Sequence, residues 1–183
     1  MTGLAFIVVR GPALAGKTAL ARALAGALAA GGRKVARISQ DDLWSRWIAG
    51  HAEDLANEAE LIYRQIKLLS ASYVRGGYHV VVDAAFAAER DGVAATHERD
   101  LRDLLGLVAT IPSVRPLLVC VTAPLETVLA RARDDASRDA RAVEAVYRAF
   151  EAGAVASPVT IDTSRRSPED AARYVLEHMG VRL

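Results

Sequence analysis

Cysteine is almost missing from the 183-residue chain, with Cys120 standing alone. One thiol excludes an intramolecular disulfide framework and any cysteine-based zinc cluster. Lysine is nearly as scarce: Lys17, Lys34 and Lys67 are set against 20 arginines. An excess of one charge is missing too, since 23 Lys+Arg face 22 Asp+Glu for a net +1. That balance argues against a protein built mainly to neutralise a nucleic-acid backbone. No apolar run approaches the ~20 residues that a membrane span needs. Residues 4–9 are apolar, but no basic segment precedes them and Arg10 follows, so they do not read as a signal peptide. Pro/Ser-rich linkers, repeats and low-complexity tracts are lacking as well. The expectation is one cytoplasmic domain over residues 1–183 with no membrane association.

The chain is 52% hydrophobic and 25% charged, a globular balance. Five short apolar runs recur: Leu4–Val9, Val35–Ile38, His79–Asp83, Leu117–Val121 and Val159–Ile161. They lack strict alternation, as strands buried on both faces of a parallel sheet do. Helical patterns separate them. Lys17–Ala30 stops at Gly31-Gly32, and Leu55, Ile62, Ile66, Leu69 and Tyr73 share one helical face ending at Gly76-Gly77. Ser167 is a natural N-cap, with Pro168 suited to the first helical position and Gly180 to the stop. The region Arg90–Pro116 reads as a helix through Leu107 and then a loop. Alternating strands and helices predict a three-layer α/β fold around a five-stranded parallel sheet.

Gly11-Pro12-Ala13-Leu14-Ala15-Gly16-Lys17-Thr18 matches G-x-x-x-x-G-K-[ST] at every specified position. Glycines let the backbone wrap phosphate oxygens, and successive N–H groups form an anion nest. The helix opening at Lys17, with Ala19 in its first turn, adds its positive dipole end. Lys17 reaches the β- and γ-phosphates, and the Thr18 hydroxyl suits Mg²⁺. A Gly-rich turn with a chance lysine is the plain alternative. An apolar strand before the motif and a helix after it favour nucleoside triphosphate binding.

Two further runs end in acid, and strand ends of one parallel sheet share a rim with the loop. Asp83 follows three valines and is the candidate for holding Mg²⁺ through water, its plain alternative being a helix cap. Asp41 or Asp42 is the candidate to orient an acceptor hydroxyl and take its proton, with Asp41 preferred. Either aspartate can instead cap a helix starting near Leu43.

The segment 131–141 holds four arginines and three aspartates. It reads either as a solvated helix pair with weak ion pairs or as a helical lid whose Arg131, Arg133 and Arg138 meet the transferring phosphoryl group. Thr163, after the last strand, is evenly placed between an adenine contact and an ordinary polar loop. Trp44 and Trp47 lie three apart near Asp41, suiting a core or an acceptor-site wall. His51, His79, His97 and His178 lack metal-ligand spacing. Cys120, inside an apolar strand, reads as a core residue.

With these motifs the chain resembles the small P-loop kinases. It is most similar to the branch of chloramphenicol phosphotransferase and the kinase domain of polynucleotide 5′-hydroxyl kinase. Ala15-Gly16-Lys17 is similar to the first and Ser39-Gln40-Asp41-Asp42-Leu43 to the second. The resemblance implies ATP and Mg²⁺ as cofactors, Asp41 as acceptor base, Lys17 and Thr18 on phosphates and metal, and Arg131 and Arg133 in the lid. The chain departs at Leu14, where many of these kinases have glycine.

Competing readings fit less well. A GTPase needs an Asn/Thr-Lys-x-Asp motif, which the three lysines do not form. Motor ATPases of the AAA type need an Asp-Glu pair at the third strand, where Ala84 follows Asp83, and an additional helical domain. A regulator that binds nucleotide without chemistry remains open. Few lysines and paired tryptophans beside Asp41 suit a small hydroxyl compound such as an antibiotic, sugar or nucleoside-like metabolite, rather than nucleic acid. Monomer and homodimer are equally compatible with the sequence.

Overall fold

The computed structural model describes residues 3–47, 55–90, 93–135, 139–153 and 157–181. The apolar runs become five parallel strands: β1 (Leu4–Arg10), β2 (Val35–Ser39), β3 (His79–Asp83), β6 (Val114–Thr122) and β7 (Val159–Asp162). Their order is β2-β3-β1-β6-β7, with β1 central. Both strand faces are buried, which explains the missing alternation. Ile7, Val9 and Val81 pack on one side with Leu20 and Leu24 of α1 (Lys17–Ala30) and Val175 of α7 (Pro168–His178). Phe6, Val8, Val80 and Val82 pack on the other with Ile62 and Ile66 of α3 (Leu55–Arg75) and Leu101 and Leu104 of α4 (Glu98–Ala109). Tyr73, expected on the buried face of α3, is instead 40% exposed and meets Tyr78 edge-on.

The interval read as helix and loop differs. Ala87–Arg90 (β4) and Val93–Thr96 (β5) pair antiparallel in a second, two-stranded sheet, α4 begins only at Glu98, and β6 already starts at Val114. Alanine and glutamate are poor strand formers, which hid these strands. Their pairing is supported by α6 (Ala140–Ala152), which packs against them.

The helix after β2 also starts earlier than expected. α2 spans Gln40–Trp47, so Asp41 and Asp42 lie in its first turn, and neither is its cap. Ser39 has that role, its hydroxyl accepting from the Asp42 amide at 3.4 Å. Ser167 caps α7 as expected, accepting from the Asp170 amide at 3.1 Å. The arginine-rich segment spans the end of α5 (Leu125–Arg133) and the start of α6. No helix among the described residues is long and apolar enough to cross a membrane.

Candidate active site

The loop between β1 and α1 has a backbone that only some residues tolerate. Gly11 has φ +155, and a Cβ there would collide with the Val121 carbonyl oxygen. Gly16 has φ +92, and its Cβ would lie 3.1–3.3 Å from Thr163. Leu14 takes a left-handed φ of 60, the conformation for which glycine is the usual residue. Its side chain packs with Ala13 against the cluster of Val128, Ala132 and Val143, so packing against α5 and α6 holds the strained residue. Arg131 donates to the Leu14 carbonyl at 2.8 Å, and Thr163 donates to that of Ala15 at 2.8 Å. Lys17 donates to the Pro12 carbonyl at 2.9 Å. Gly16 precedes α1 without any side-chain cap, leaving the first helical amides for an anion.

Asp83 is 4% exposed at the end of β3. Burial raises its carboxyl above the ordinary value, Asp41 adds to this, and a hydrogen bond from Thr18 with the charges of Lys17 and Arg37 opposes it. Arg37 lies 3.4 Å from Asp83 and 2.8 Å from Asp42. Asp42 also pairs with Arg46 at 3.2 Å. The neighbouring aspartates therefore differ: Asp42 faces arginines, whereas Asp41 lines the cleft.

That cleft encloses about 950 Å³ and joins two regions. Ala13, Leu14, Gly16, Lys17, Thr18, Ala19, Arg131 and Thr163 line the phosphate end, continuing to Arg166 and Ser167. Gln40, Asp41, Trp44, Ser45, Asp83 and Ala85 line the other. Gln40 is buried and accepts from the Ala85 amide at 2.9 Å, tying the start of α2 to the turn after β3.

Not every expected residue reaches the cleft. Arg133 is exposed at the end of α5 and does not line it. Gly11 and Pro12 face a separate cavity of about 230 Å³, and Ala15 is buried beneath the loop. Arg138 lies outside the described residues, as does the side chain of Trp47. Cys120 borders the smaller cavity, and burial raises its thiol above the ordinary value, consistent with a packing role.

A family model described as AAA domain matches residues 6–156, from β1 to just past α6. The chain belongs to the AAA domain family. Its fold is that of the P-loop kinases. APS kinase of Mycobacterium tuberculosis, in complex with AMPPNP and APS, superposes with a TM-score of 0.69 at 17% identity, covering 98% of this chain and 99% of that one. The tunicamycin resistance protein of Deinococcus radiodurans gives 0.59 at 20% identity, covering 98% of each chain. A chain of the Pnkp1/Rnl/Hen1 RNA repair complex gives 0.60 at 13% identity over 83% of this chain and 45% of that chain. No curated protein matches the sequence.

At the end of β3 in this AAA domain family member, Asp83 is followed by a buried Ala84, so no Asp-Glu pair stands there. The hydroxyl of Thr18 beside the carboxylate of Asp83 is an all-oxygen donor set, which fits Mg²⁺. No cluster of three His, Cys, Asp or Glu exists among the described residues, and Mg²⁺ bound to a nucleotide draws most of its ligands from phosphate and water.

Sequence reasoning missed three cleft-side features. Gln40 carried a signal only as part of Ser-Gln-Asp-Asp. Arg37 sits in a short apolar strand and gives no sequence sign of its pairing. Arg166 borders the cleft and stacks on Tyr174, its guanidinium 4.8 Å from the ring centre, with nothing in sequence to separate it from Arg165.

Proposed function

We propose that the chain is a single-domain, ATP-dependent kinase that phosphorylates a hydroxyl of a small molecule. The observation that carries this is Asp41, which shares one cleft with Lys17, Thr18 and Asp83 while Asp42 is held by arginines. The loop amides and α1 hold the phosphates, and Lys17 leaves the Pro12 carbonyl to reach the β- and γ-oxygens. Thr18 directly and Asp83 through water would hold Mg²⁺, whose charge would offset that of the phosphate oxygens. Asp41 receives the acceptor's proton as its oxygen bonds to the γ-phosphorus and the bond to the ADP oxygen breaks. Arg131, which donates to the loop carbonyl of Leu14 and lines the cleft, is the lid arginine assigned to meet that charge.

Trp44, Ser45, Ala84, Ala85 and Ala87 form a compact, weakly polar acceptor wall. This supports an antibiotic, sugar or nucleoside-like acceptor over a charged strand. The test offers γ-labelled ATP and Mg²⁺ with chloramphenicol, ribose, adenosine and a 5′-hydroxyl oligonucleotide, across a salt series. Label is expected on a small molecule, and lost with Lys17→Ala. Label confined to the oligonucleotide, falling steeply with salt, would assign a polynucleotide kinase. ATP binding with no transfer to any hydroxyl compound would favour a regulator.

A further inference from the structure

Arg37 lies in the middle of β2, the edge strand of the sheet, in register with Val81 of β3. Its guanidinium reaches two carboxylates from different elements. One nitrogen, Nη2, is 2.8 Å from Oδ2 of Asp42, and the other, Nη1, is 3.4 Å from Oδ2 of Asp83. The remaining oxygen of Asp42 faces Nε of Arg46 at 3.2 Å. The outer pair is weak by itself, because Arg46 is 76% exposed. The inner two differ, with Arg37 23% exposed and Asp83 only 4%. A planar fork with fixed nitrogen positions suits two separate carboxylates in a way that an ammonium does not.

α2 has eight residues, too few to be stable alone, so tertiary ties decide its orientation. Buried Leu43 is one tie and Gln40 another. Neighbouring helical residues point about 100° apart. Once Asp42 is held against Arg37, Asp41 is turned towards the cleft. We propose that Arg37 is a positioning residue, which bridges Asp83 to Asp42 and thereby fixes the rotation of α2 and the direction in which Asp41 faces the phosphate loop. Its purpose rests on Asp41 being the acceptor base, but the bridge itself is measurable without catalysis.

Both tryptophans of the chain, Trp44 and Trp47, lie on α2, so tryptophan emission reports this helix. In the full-length protein, Arg37→Met is expected to raise the acrylamide quenching constant about twofold, as local loosening does, without loss of far-ultraviolet dichroism. Asp42→Asn should reproduce this, Arg37→Lys should fall between, and Asp41→Asn should leave quenching at the wild-type value. In Mg²⁺-ATP turnover, Arg37→Met should lower kcat about tenfold with KM for ATP little changed, and add nothing to Asp41→Asn. If Arg37→Met fails to fold, Asp42→Asn carries the same expectation. Wild-type quenching in Arg37→Met, or in Asp42→Asn, overturns the proposal. Undiminished turnover in Asp41→Asn would instead overturn the base assignment, so the two failures are separable.

Discussion

The Thr163 hydroxyl donates a 2.8 Å hydrogen bond to the carbonyl of Ala15, 148 residues earlier in the chain. The same side chain would crowd a Cβ on Gly16 at 3.1–3.3 Å, and the φ there is already +92. The end of β7 and the phosphate loop are thus one packed unit. Gly16→Ala should cost about 1–3 kcal/mol from backbone strain, with steric crowding added. Denaturant unfolding measures it, and Thr163→Ala in the same chain should restore only the crowding part. Wild-type stability in Gly16→Ala would contradict the packing described.

Asp83 gives a pH-dependent expectation. Burial raises its carboxyl above the ordinary value against the pull of Thr18, Lys17 and Arg37. The folded state therefore holds this proton more tightly than the unfolded chain does. The group's contribution to stability is full below the unfolded value, about 4, and is lost as pH rises through the folded one. Without nucleotide or Mg²⁺, Asp83→Asn should melt higher than wild type at pH 7. The difference should shrink towards pH 4. A wild type that melts higher at pH 7 would show that the charged carboxylate is net stabilising.

Arg10 is 1% exposed at the end of β1, paired with Glu98 and lying 4.8 Å from the ring centre of Phe150. Removing one member of a buried pair leaves a bare charge, at a cost of roughly 3–5 kcal/mol. Glu98→Ala should therefore destabilise the protein strongly and loosen the strand that delivers the phosphate loop. Glu98→Ala combined with Arg10→Met should recover much of that loss. A small effect of Glu98→Ala, read by denaturant unfolding, would show that water reaches the guanidinium.

The contrast between Lys17 and Arg10 shows what was legible in sequence. Lys17, Thr18, Asp41 and Asp83, which line one cleft, could be singled out as candidates because phosphate chemistry imposes a residue type at fixed spacing or at a strand end. The strands were legible because burial on both faces demands unbroken apolar runs such as Val80–Val82. Arg10, Arg37 and Gln40 owe their roles to partners 88, 46 and 45 residues away, which no local pattern encodes. The strand pair at 87–90 and 93–96 escaped because its alanines favour helix by propensity. Leu14 departs from the usual glycine, and long-range packing against the cluster of Val128, Ala132 and Val143, with the Arg131 bond to its carbonyl, shows how it is held.

The most direct test of the central claim is acceptor-stimulated ADP production by wild type and Asp41→Asn at saturating Mg²⁺-ATP. The acceptor is the small hydroxyl compound that takes label in the transfer assay. Wild type should accelerate on its addition, and Asp41→Asn should lose about 10²-fold or more of that rate while still binding ATP. Equal stimulation of both proteins would contradict the assignment of Asp41 as the base.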